Sequence, residues 1–238
     1  MRQDDVSNNA EMIPLRDENP SRSFPFVTVA IIVINVLVFI YELTLGSQLE
    51  NKIYQFAVIP YNIIHRTNLK GLLTLITALF FHAGFAHVLG NMLYLWIFGD
   101  NIEDRLGHIR FLFFYFFCAI VASLGQIIAA PNSKLPMIGA SGAISGVLGA
   151  YLILYPRAKI LVLVPLFYIW RIVKVQALWF LAFWIILQFF YGTTSFVLMN
   201  TQETGGVAWF AHIAGFFAGI LFLSLLLKRK RRINLDAL

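Results

Sequence analysis

Ile138-Gly139-Ala140-Ser141-Gly142-Ala143-Ile144-Ser145-Gly146-Val147-Leu148-Gly149-Ala150 reads as an apolar helix with one side worn down to glycine and alanine. Gly142, Gly146 and Ala150 fall at four-residue spacing, which puts them on one helix face. A second stripe, Ala211, Gly215 and Gly219, repeats the pattern near the C-terminal end. Small residues at i and i+4 let two helix backbones approach closely within a bilayer. Gly142, Gly146, Gly215 and Gly219 are therefore expected to form a helix–helix seam. Each stripe alone reads as packing and nothing more. Docked together, however, the two stripes draw the Ser141 hydroxyl towards the imidazole of His212.

The rest of the chain fits a membrane setting. Of 238 residues, 59% are hydrophobic and 13% charged, with a mean hydropathy of +0.76. Soluble domains run about 45–50% apolar and about 25% charged, so the polar residues here are too few to coat a water-soluble globule. Six segments approach the roughly 20 residues a crossing needs. They are Phe26–Leu45, Gly84–Gly99, Ile109–Ala129, Ile138–Leu154, Val175–Phe196 and Gly206–Leu227. The expected fold is an all-α polytopic bundle of six transmembrane helices. It comprises a polar N-terminal tail (1–23), a six-span body (24–227) and a basic tail (228–238). Met1–Ser23 lacks a basic leader and a small-residue cleavage site, so Phe26–Leu45 reads as an uncleaved anchor. Ile160–Ile169 is too short to cross, holds Pro165 and is flanked by Arg157, Lys159, Arg171 and Lys174; it is expected to be a loop on the membrane surface.

Placing the N-terminus inside puts 14 of the 18 cations on inner segments, leaving Lys52, Arg66, Lys70 and Lys134 outside. Both termini are thus expected in the cytoplasm. The net charge of +6 comes from cations between and after apolar runs, and no nucleic-acid partner is expected. Cys118 is the single cysteine, which excludes an internal disulfide. The Gly46–Phe81 connection is apolar for a loop and is expected to lie partly in the outer leaflet.

Polar groups inside spans are costly and point to function. Ser141 lies sixteen residues before Arg157, and His212 sixteen before Lys228. At about 1.5 Å per residue, both stand roughly 24 Å above their inner charged markers. His87 lies thirteen residues before Asp100, or roughly 20 Å, with Asn91 one turn deeper. In a core about 30 Å thick, three helices bring these groups to one level in the outer half. A serine beside a neutral histidine is a nucleophile with its base. His87 and Asn91, on one face, could steady an oxyanion with help from the Ser141 amide. None of the twelve carboxylates falls near this level on spans two, four or six, which leaves a Ser-His dyad and excludes a two-aspartate protease. H-E-x-x-H is absent. His82, His87 and His212 could also ligate a metal, but no carboxylate or thiol completes the set. A channel lined by His82, His87 and Asn91 is the alternative reading.

With these residues in hand, the chain resembles the rhomboid intramembrane serine proteases. Gly139-Ala140-Ser141-Gly142 matches the family's G-x-S-G, and Ala211-His212 with Gly215 and Gly219 its A-H-x-x-G-x-x-x-G. His82, His87 and Asn91 match its H-x-x-x-x-H-x-x-x-N, and Gly99–Arg110 resembles the loop that follows in bacterial members. The resemblance implies Ser141 as nucleophile, His212 as base then acid, His87 and Asn91 as oxyanion donors, and His82 and Gly139 as pocket supports. It implies no metal or other cofactor. Single-pass membrane proteins would be the substrates, within membrane lipid, and the bacterial inner membrane the setting. Gly46–Phe81 would be the membrane-inserted first loop, and Val175–Phe196 the lateral gate. A catalytically dead relative is the rival that intact Ser141 and His212 oppose. Two departures stand out: Leu73-Thr74 occupies the place of a frequent Trp-Arg pair, and Ser145 that of an aromatic stacked on the base.

Overall fold

The computed structural model describes residues 12–66, 68–166, 169–199 and 207–235. Residues 1–11 of the expected N-terminal tail, Gly206 at the expected start of the last span, and 236–238 lie outside them. The long helices are α1 (Phe26–Thr44), α5 (Phe85–Leu106), α6 (His108–Ala129), α7 (Ser141–Leu154), α8 (Ala177–Met199) and α9 (Trp209–Leu235). Between α1 and α5 run the short helices α2 (Leu49–Phe56), α3 (Pro60–His65) and α4 (Leu69–Thr77). Among the described residues four helices are long and apolar enough to cross a membrane: α1, α6, the Ala177–Ser195 part of α8 and the Trp209–Leu227 part of α9. A fifth arises if Leu69–Phe80 and Phe85–Leu106, bent by 82° at their junction, count as one span. Helix α7, which opens at Ser141, starts three residues later than expected and has only 14 residues. At 1.5 Å per residue that is about 21 Å, short of a full crossing.

The all-α expectation needs a correction. A three-stranded antiparallel sheet, in the order β1-β2-β3, is built from β1 (Ile13–Asp17), β2 (Lys159–Leu166) and β3 (Ile169–Gln176). The expected surface loop is thus a β-hairpin, and the tail expected to be merely polar supplies its third strand. β-Branched residues explain the strands. Ile160 and Val162 are fully buried, and Val164, Val173 and Val175 pack on the helical core. Pro165 is tolerated because β1 reaches only Leu163, so the side of β2 that lacks its N–H has no neighbour there. Since β1 pairs with a hairpin between α7 and α8, the N-terminal strand and that connection lie at one end, opposite the end where α7 begins.

The core is aromatic, with Phe98, Phe111, Phe114, Tyr115 and Tyr151 fully enclosed. Glu103, fully buried on α5, fixes the entry of α1: its carboxylate accepts from Val27 N (2.8 Å) and Thr28 N (2.7 Å). It also meets His108 Nδ1 at 2.5 Å.

Candidate active site

Glycine governs how α7 and α9 meet. A Cβ on Gly215 would lie 2.1 Å from the Gly142 carbonyl oxygen, and one on Gly219 1.9 Å from that of Gly146. One on Gly149 would lie 2.1 Å from the Phe216 carbonyl oxygen. Backbone thus packs on backbone along two turns, and Gly142, Gly146, Gly215 and Gly219 all lie in this seam. At its upper end, Ser141 Oγ lies within hydrogen-bond distance of His212 Nε2, at 2.8 Å.

The approach to Ser141 is not helical, so its peptide groups need partners outside a helix. The first loop supplies them. Val58 and Met137 exchange both backbone bonds (3.1 and 2.8 Å), Gly139 N donates to Ala78 O (2.8 Å), and Tyr61 N donates to Ser133 O (2.9 Å). The loop is held without a Trp-Arg pair: Leu73 is exposed, and buried Thr74 bonds back to Gly71 O at 2.6 Å.

Gly139 has φ +111°, a conformation that favours glycine. A Cβ there would lie 2.7 Å from His87 Cε1 and Nε2 and 3.6 Å from Asn91 Nδ2. The two side chains therefore converge on the peptide just before Ser141. Nδ1 of His87 accepts from Ala83 N at 3.2 Å, so the neutral ring carries its proton on Nε2, the nitrogen facing Gly139. Asn91 Nδ2 is buried and has no partner among the described residues. Both are donors that converge beside Gly139, two residues before Ser141. His82 stands behind them, 1% exposed, with its ring 5.0 Å from that of His87 in a T-shaped contact. Neither ring nitrogen of His82 has a partner among the described residues. Its backbone N–H donates to the buried Glu42 carboxylate of α1 at 3.1 Å.

A cavity of about 30 Å³ adjoins Ser141, lined by Val58, Ala78, Gly139, Gly142, Ala208 and Ala211 among others. That is enough for a water molecule.

Three polar side chains at the site go beyond the expected set. Gln188 of α8, 5% exposed, has its Oε1 2.8 Å from His212 Nδ1. Gln126 of α6 accepts from Phe210 N (3.0 Å) and Ala211 N (3.3 Å), fixing the start of α9 just before His212. Glu42 is the third. Each is a polar group within an apolar run, which was its signal in the sequence. No aromatic follows Ser141 by one turn; Ser145 instead bonds back to Ser141 O (2.7 Å), and the rings of Trp184 and Trp209 lie 6.0 and 6.1 Å from that of His212. No group of three His, Cys, Asp or Glu is arranged for a metal ion among the described residues.

Comparison with known proteins gives this arrangement a context. Residues 69–229 match the family profile described as the Rhomboid domain. The chain is 36% identical over 108 residues to Rhomboid protein 1, mitochondrial, of Saccharomyces cerevisiae, covering 44% of this chain and 31% of that protein. It is 32% identical over 135 residues to rhomboid protease GluP of Bacillus subtilis, covering 57% of this chain and 25% of that protein. Rhomboid-like protein 11, chloroplastic, of Arabidopsis thaliana is 26% identical over 199 residues, 82% of this chain and 66% of that one. The match thus spans less than a third of the first two relatives. With a domain match over more than half its length, and with apolar helices of membrane-spanning size, the chain belongs to the rhomboid family.

Proposed function

We propose that this protein is an intramembrane serine endopeptidase that cuts single-pass membrane proteins near the outer end of their span, with Ser141 and His212 as a catalytic dyad. One observation carries the reading: a serine hydroxyl 2.8 Å from a histidine nitrogen across two closely packed helices, beside an Asn91 Nδ2 that has no partner among the described residues.

The chemistry follows from the geometry. Ser141 Oγ attacks the carbonyl carbon of the scissile peptide while its proton passes to His212 Nε2. Negative charge develops on the carbonyl oxygen, and His87 Nε2–H, Asn91 Nδ2–H and the first amides of α7 meet it. Those amides have no partner within the helix, and the dipole there favours negative charge. Collapse breaks the C–N bond, and the proton on His212 moves to the departing amine. Water from the adjoining cavity then loses a proton to His212 and attacks the Ser141 ester. As the ester bond breaks, His212 gives that proton to Ser141 Oγ, which restores the serine and frees the new carboxyl end.

An intact substrate helix has its carbonyls bonded internally, so it must unwind to be cut. Gly or Pro near the cut lowers that cost, being about 1 and 3 kcal/mol less favourable in a helix than Ala. The same reading has six spans, both termini inside a bacterial inner membrane, and lateral entry past α8. The test is reconstitution with a single-span model substrate. Wild type cleaves it and takes a fluorophosphonate label; Ser141→Ala and His212→Ala do neither. Equal cleavage of a substrate made rigidly helical by Leu and Ala would refute the unwinding step.

A further inference from the structure

We propose that Gln188 is a positioning residue of this site: from α8, its side-chain amide selects the tautomer of His212 that lets Nε2 accept the serine proton. The catalytic consequence rests on the protease reading above, whereas the tautomer itself can be measured without it.

The two nitrogens of His212 face different partners, Ser141 Oγ at Nε2 and Gln188 Oε1 at Nδ1, each at 2.8 Å. A neutral imidazole has one proton. If Nε2 is to receive the serine proton it must be bare, and the ring proton must sit on Nδ1, which then needs an acceptor. The glutamine amide could offer oxygen or nitrogen there, and its other end decides. Gln188 Nε2 donates to the Trp184 carbonyl at 3.3 Å. Turned over, the amide would set oxygen against that carbonyl oxygen and aim NH₂ at Nδ1. The ring proton would then move to Nε2, where it blocks the base. The backbone of α8 thus fixes the amide, and the amide fixes the imidazole.

Burial makes this selection firm. His212 is 9% exposed and Gln188 5%, so bulk water does not replace the acceptor. The same task falls to asparagine in Cys-His-Asn proteases of an unrelated fold. A glutamine in a membrane helix often only satisfies its own backbone. Here just the NH₂ does so, and the carbonyl oxygen reaches across 24 residues to another helix.

The experiment is nitrogen NMR of the full chain, labelled at its five histidines, with the His212 signals assigned by loss in His212→Ala. In wild type, Nδ1 is protonated and Nε2 bare. Gln188→Met, close in shape but without an acceptor, mixes or reverses the two forms, and Gln188→Glu restores the wild-type form. A wild-type ring protonated on Nε2, or an unchanged tautomer in Gln188→Met, overturns the proposal whether or not the protein cleaves anything. In the reconstituted assay, Gln188→Met lowers kcat at least about tenfold at unchanged KM, since a mis-set tautomer is costly in serine proteases, and Gln188→Glu recovers most of it. Equal loss in both variants would reduce Gln188 to a packing role. Absence of cleavage by wild type would instead sink the protease reading and leave the NMR result to decide on Gln188.

Discussion

Gly215→Ala places a single methyl in the α7–α9 seam, where its cost can be worked out. The new Cβ would lie 2.1 Å from the carbonyl oxygen of Gly142, the residue next to Ser141. Real Cβ contacts do not fall under 3.0 Å, and the obstacle is backbone, so the helices must part by nearly 1 Å. Gly215 is one turn from His212, and that displacement reaches the dyad almost undiminished. The Ser141–His212 distance then grows from 2.8 Å to beyond hydrogen-bond length. A 1 Å misplacement of reacting groups costs about 10²-fold in rate, and overpacking costs typically 1–3 kcal/mol in stability. The variant should fold, run as wild type on size exclusion and lose about 10²-fold in kcat/KM in the reconstituted assay. Gly90→Ala is the control, because its methyl meets nothing within 4 Å. Full activity in Gly215→Ala, with the seam intact by disulfide trapping across α7 and α9, would refute the argument that this contact sets the dyad.

Asn91→Leu removes one of the proposed oxyanion donors and should lower kcat by about 10²–10³-fold while fluorophosphonate binding persists weakly. Glu103→Ala takes the carboxylate from the Val27 and Thr28 amides and should cost about 1–3 kcal/mol, read as an earlier thermal transition in detergent. Asp17, at the end of β1, is pushed up to about 6 by burial, against a lowering bond from Tyr151 and a raising charge on Asp100. With the folded value raised, its contribution to docking β1 is fully present below the ordinary carboxylate pKa and is lost as pH rises through about 6. Asp17→Asn should therefore protect β1 amides from hydrogen exchange better than wild type at pH 7.5 and equally at pH 4. Equal protection at both pH values would show that the carboxyl is not buried by the strand.

How far the sequence could be read depended on how local each signal was. Helices α1 and α6 have the expected limits within a residue, because Pro25 and Gly107 punctuate long apolar runs. The serine and histidine could be paired from two stripes of small residues, since close approach needs little beyond the absence of side chains. The sheet was hidden: β2 and β3 carry apolar residues on both faces, so the alternation that signals a strand is missing, and the partner β1 lies about 145 residues earlier in a polar tail. The shortened α7 was hidden too, because Ile138 and Gly139 are apolar like the helix they precede, while Met137 and Gly139 bond to the first loop instead. Gln188 stood in plain view among Ile, Leu and Phe. Its partner could not be read, since which face of α8 meets α9 is a property of the packed bundle.

The first loop is tied to the segment leading into Ser141 by main-chain pairing at Val58, Ala78 and Tyr61. Such a tether is blind to side-chain identity. Its outer surface, where Leu69, Leu72 and Leu73 stand 73%, 46% and 54% exposed, is therefore free to be rewritten. A protein built this way can be refitted to bilayers of another thickness or lipid makeup through those leucines alone, with the peptide that leads into Ser141 left in place.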